Sequence, residues 1–121
     1  MNVNNVTLAG RLTKDVELNY IGEKNTAKAT MTLAVNRIGQ KDKTDFIPVE
    51  VFGTQAENCE KYLVKGQAIA VIGAIRVDAW KKDDKWNNRT YVVASQVQFG
   101  AKPNGGNSGP ADTGDPDEIP F

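Results

Sequence analysis

The sequence predicts an all-β domain: five strands closed as a Greek-key barrel, with one helix between the third and fourth. Three observations carry that reading. Apolar residues recur with a period of two through most of the first 100 residues. Single glycines, Gly10 and Gly73, interrupt two alternating runs where a long strand must bend or bulge. Only the stretch from Thr54 to Gly66 carries helical spacing.

The elements follow in order. NVTLAGRL sets Val6, Leu8 and Leu12 on one side. AKATMTLAVN alternates Ala27, Ala29, Met31, Leu33 and Val35 with Lys28, Thr30, Thr32, Ala34 and Asn36. DFIPVEVFG groups Ile47, Val49 and Val51. TQAENCEKYLVKG opens with Thr54 and Glu57 at capping-box spacing and stops near Lys65-Gly66. Ala56, Cys59, Tyr62 and Leu63 can share its inner face, which makes Cys59 a small core residue. AIAVIGAIRVDAW groups Ile69, Val71, Ile75 and Val77, and RTYVVASQVQF groups Tyr91, Val93, Val97 and Phe99. A five-stranded barrel with its helix in that position is an OB-fold; an immunoglobulin-like sandwich needs no such helix.

Composition bounds the rest. The 121 residues suit one domain with a modest core. No apolar run is long enough for a membrane span and no signal sequence opens the chain, so the expected setting is a reducing cytoplasm with nucleoid association. With no histidine and one cysteine, no metal site of the usual zinc kind and no cofactor is expected. Residues 1–100 carry 14 basic and 11 acidic side chains, whereas residues 101–121 carry one and four. A mildly basic body and an acidic end imply different partners for each. The expected organisation is a domain over 1–100, a flexible Gly/Pro-rich tether over 101–114, which lacks any large apolar residue, and a tip over 115–121 reading DPDEIPF, within a disordered C-terminal tail.

Strand parity turns Phe46 and Phe52 outward, with Pro48 and Glu50 between them, and likewise Arg76, Asp78 and Trp80. Exposed aromatics either cover a subunit interface, pack under a loop, or stack on bases, which is worth about 1–3 kcal/mol per base. In WKKDDKWNNR, Trp80 and Trp86 bracket Lys81, Lys82, Lys85 and Arg89, a pattern that suits exposed bases on a charged backbone. The same hairpin also reads as a solvated turn around Asp83-Asp84. Arg11, Lys28 and Arg37 are each an ordinary surface charge alone; as a set they can follow phosphates across the barrel. No nucleophile elbow, phosphate-cradling loop or fixed carboxylate pair supports catalysis, so the chain reads as a binder rather than an enzyme.

These residues resemble the bacterial single-stranded DNA-binding protein (SSB) family over essentially the whole length. The resemblance rests on GRLTKDVELNY, TLAVNR, DFIPVEVFG, AENCEKYLVKG and the closing DEIPF. It implies sequence-independent binding of single-stranded DNA by a homotetramer, with stacking at Phe46, Phe52 and Trp80, and at Trp86 in the neighbouring hairpin. It also implies that Asp115, Asp117, Glu118, Ile119, Pro120 and Phe121 dock on replication, repair and recombination proteins, the acids steering toward a basic groove that takes the Phe121 ring and carboxylate. The chain departs from the family at Ile38-Gly39-Gln40-Lys41, where many relatives carry an aromatic, at Pro48 within a strand, in its short tether, and in DPDE where an unbroken acidic run is frequent. Rival readings are a protein-binding OB adaptor, a small OB-fold nuclease and an RNA-binding OB-fold.

Overall fold

The computed structural model describes residues 1–103. The predicted tip and all but the first three residues of the predicted tether lie outside them. The elements are β1 (Val6–Leu12), β2 (Glu17–Ile21), β3 (Thr26–Arg37), β4 (Gln40–Phe52), α1 (Thr54–Tyr62), β5 (Ala68–Lys82) and β6 (Lys85–Phe99). Five of the strands form a closed ring, β1-β5-β6-β4-β3 and back to β1, which is the OB-fold. Every pairing is antiparallel except β4 with β6, which run parallel at Val49–Val92 and Glu50–Val93. β2 lies outside the ring as a hairpin partner of β3.

The ring closes through β1. This strand pairs with β5 from Val6 to Arg11, while Arg11 and Leu12 also pair with Ala34 and Leu33 of β3. Gly10 stands at that transfer. A Cβ there would collide with the Ala34 carbonyl and lie 3.1 Å from Val35 Cγ2, so only glycine lets the two strands approach.

Inside the ring the period-two reading holds in β3 and β4: Ala27, Ala29, Met31, Leu33, Val49 and Val51 are buried. Ile69 and Val71 join them from β5. Farther along the same strand, Ile75 and Val77 are exposed, because β5 and β6 leave the barrel together as a two-stranded arm. The expected grouping in β6 is corrected. Val92 and Ala94, not Val93, face the core, followed by Val97. The ladder pairs Ile72 with Gln96 but Gly73 with Ala94, so Ser95 is an extra residue and the numbering parity switches across it. The side-chain amide of Gln55 serves this bulge, donating to the Ser95 carbonyl (2.8 Å) and accepting from the Val97 amide (3.0 Å).

The helix lies where expected but starts differently. Gly53, at φ 77°, is its N-cap, and no side chain caps it, so the Thr54–Glu57 capping box does not form. Glu57 instead accepts from the Tyr20 hydroxyl at 3.1 Å. Ala56, Cys59 and Leu63 enter the core, whereas Tyr62 is exposed, contrary to its expected inward position. Burial pushes the Cys59 thiol from 9.0 up to about 11.

Two outcomes are expected. G10A destabilises the fold by about 3 kcal/mol in urea unfolding, through backbone overpacking; G39A, in open space at φ +83°, costs only about 1 kcal/mol. The unfolded chain releases the Cys59 proton near 9.0 and the folded chain only near 11. The stability tied to the neutral thiol is therefore complete below pH 9 and is lost as pH rises toward 11. C59A removes that part of the alkaline decline when unfolding is followed across the same range.

Candidate nucleic-acid interface

On the outer side of the sheet, cross-strand register defines one continuous face. β4 contributes Phe46, Pro48, Glu50 and Phe52, opposite Ala34, Thr32, Thr30 and Lys28 of β3. β6 continues it with Val93, Tyr91, Arg89 and Asn87, and β5 with Ala74, Arg76, Asp78 and Trp80. Phe46 (63% exposed), Phe52 (37%) and Trp80 (44%) therefore share a face. Trp86, 72% exposed, does not. Its register partner is Lys81, whereas Trp80 pairs with Asn87. Directly opposed residues share a side and successive residues alternate, so the two indoles stand on opposite faces of the arm. The arm turns through Asp83 and Asp84, both left-handed (φ 53° and 64°), as a two-residue turn that matches strand twist.

The basic residues divide likewise. Lys28, Arg76, Arg89 and the opposed pair Lys82 and Lys85 lie on the Trp80 side, and Lys81 lies with Trp86. Arg11, opposite Ala34, is exposed on the outer side and donates to the Gly66 carbonyl at 3.2 Å. Arg37 is engaged elsewhere. Its Nε and Nη2 form a forked contact with the Asp45 carboxylate, the shortest distance 3.0 Å, and that hydrogen bond raises its pKa.

At the centre of the face stands Glu50, in the outer row as parity placed it, yet not solvated. Its side chain is only 5% exposed, and its Oε2 receives both Arg89 Nη2 (2.8 Å) and Lys28 Nζ (3.4 Å). The Arg89 guanidinium lies 4.3 Å from the centroid of the Tyr91 ring. That ring is buried although its row faces outward. The Tyr91 hydroxyl donates to Asp78 at 2.9 Å, and this bond together with burial raises the phenol pKa. Lys28, Glu50, Arg89, Tyr91 and Asp78 thus form one polar network between Phe52 and Trp80. Alternation alone did not reveal it, since an acid in an outer row reads as solvated.

An open groove lined by Val6, Leu8, Phe46, Ile47, Pro48, Ile75, Thr90 and Val92 runs beside Phe46 where the arm meets the barrel. Among the described residues, no cluster of three or more His, Cys, Asp or Glu side chains could hold a metal ion, and no helix is long and apolar enough to cross a membrane.

Comparison with known proteins places this geometry. A family model described as the single-strand binding protein family matches residues 3–100. A relative from Clostridium perfringens (strain 13 / Type A), a single-stranded DNA-binding protein, is 42% identical over 108 residues, covering 88% of this chain and 72% of the relative. One from Caldanaerobacter subterraneus subsp. tengcongensis, of the same description, is 41% identical over 116 residues, covering 90% and 75%. Among solved structures, a Plasmodium falciparum SSB complex with ssDNA superposes with a TM-score of 0.73 at 22% identity, covering 82% of this chain and 96% of that one, a likeness of fold.

Removing Lys28 and Arg89 together (K28M/R89M) strands a buried carboxylate, so that variant is expected to lose about 3 kcal/mol. E50Q, which leaves two partly exposed cations able to reach water, loses less. Urea unfolding of the two variants side by side checks the order.

Proposed function

The chain belongs to the single-strand binding protein family, and from that membership and its outer face we propose that it is a non-enzymatic binder of single-stranded DNA with little sequence preference. The single observation that carries the reading is the alignment of Phe46, Phe52 and Trp80 on one face beside Lys28, Arg76, Lys82 and Lys85. Any base offers a ring to stack on, and any phosphate an anion to neutralise, so such a surface binds without reading sequence. Arg11 extends the cationic row. Arg37, held by Asp45, and Lys81, on the far side of the arm, are left out of it.

The same reading extends to finer roles. The protein coats and protects transient single strands in replication, recombination and repair. The DPDEIPF end recruits partner enzymes to them, supported by its acids and terminal aromatic alone. Cytoplasmic, nucleoid-associated work fits that role. Assembly as a homotetramer is favoured by a separate observation: Ile75, Val77 and Trp86 leave an apolar strip exposed on the second face of the arm.

Titration with oligo-dT, followed by tryptophan fluorescence at low and high salt, tests the reading. Strong quenching, tighter binding than to duplex of equal length, and affinity falling with salt are expected. W80A removes most of the quenching and weakens binding roughly tenfold, within the range for one stacked base, whereas W86A leaves affinity nearly intact. Absence of quenching and of any single-strand preference would reject the proposal.

A further inference from the structure

We propose that Arg89 is a base-stacking platform, held flat by Glu50 and Tyr91, and not a phosphate contact. The inference rests on the single-strand-binding reading and deepens it. An arginine with an N–H engaged by a carboxylate has fewer left for phosphate oxygens. Here Arg89 Nη2 is spent on Glu50 at 2.8 Å, and that carboxylate, shared with Lys28, offsets its charge within a buried contact. The guanidinium carbon lies over the Tyr91 ring, 4.3 Å from its centroid. Tyr91 is in turn fixed through its hydroxyl on Asp78. One N–H and the side toward the Tyr91 ring are therefore engaged, while the side chain remains 40% exposed. On this proposal the exposed remainder is the opposite face of the guanidinium.

Arginine planes accept stacked bases as aromatic rings do. The position suits that use. Arg89 opposes Asp78, one same-face step along the arm from the Trp80–Asn87 pair. On its other side, Glu50 precedes Phe52 by one same-face step along β4. Arg89 thus fills the interval between two aromatic platforms. This also accounts for a buried acid in the middle of a face meant for a polyanion: Glu50 gives up net charge there and fixes the orientation of a flat group.

The test compares two probes of equal length, oligo-dT and an abasic deoxyribose-phosphate strand, against the full chain and two variants, R89K and E50Q. R89K keeps the charge and loses the plane; E50Q keeps the shape and loses the hold on Arg89. The readout is the ratio of the two affinities, which is insensitive to any loss of folded protein because both probes sample the same folded fraction. For R89K the ratio is expected to fall roughly five- to a hundredfold, with the abasic strand bound as before and the salt dependence unchanged. For E50Q the ratio falls too, while abasic binding tightens because an anion has gone. An unchanged ratio in both variants overturns the inference and leaves the single-strand reading standing. If the unaltered chain shows no preference for oligo-dT over duplex DNA, the underlying reading fails and the inference with it.

Discussion

Ring closure at β1 is the constraint on which the rest of this structure depends. A strand of seven residues has two neighbours to satisfy, and it does so by leaving β5 for β3 around Gly10. Had β1 stayed with β5 alone, β3 would present an open edge and the sheet would flatten. Because the ring closes, the inward rows of β3, β4 and β5 meet around Met31, Leu33, Val49 and Val71. The outward rows are then spread over a convex surface. β5 and β6 are longer than the ring needs, so their excess projects as the arm. Small amides tidy the places where ladder bonds would otherwise be missing. Asn4 pairs with both the amide and the carbonyl of Ile75 at 2.9 Å, as a strand neighbour would, and the buried Gln67 links Val64 to Gly100.

Much of this could be read from the sequence, and the failures have physical causes. β3 and β4 were legible because each has one buried and one exposed face, the condition under which alternation is a reliable signal. The helix was legible from Ala56, Cys59 and Leu63, but its start was misjudged: a backbone carbonyl at Gly53 does what Thr54 was expected to do. β2 went unread because only Leu18 turns partly inward in a short, otherwise exposed strand. In β6 the extra residue at Ser95 broke the count. Of the candidate site, Phe46, Phe52 and Trp80 followed from parity. The separation of Trp86 from Trp80 depends on pairing register across the turn, and neither composition nor spacing contains it. Glu50 depends on Arg89, 39 residues away.

The electrostatics of the outer face are restrained by design of the pairing. Glu50 takes up Lys28 and Arg89, Asp78 ties down Tyr91, and off this face Asp45 takes up Arg37. A body with only a small excess of positive charge therefore has its cations distributed and partly matched. On the proposed reading, stacking supplies much of the grip and charge sets approach and placement. Such a balance favours binding that can be undone, since a strand held chiefly by stacking can be peeled away one base at a time.

The arm has an end, and its chemistry changes there. Along the Trp80 side a polyanion meets Arg76, then the opposed lysines Lys82 and Lys85, and then the two carboxylates of the Asp83-Asp84 turn. Those acids sit in the left-handed region, where Asp is tolerated better than most residues but glycine would be easier. Two negative charges at the extremity repel a polyanion, so on the proposed reading the cationic row stops short of the tip.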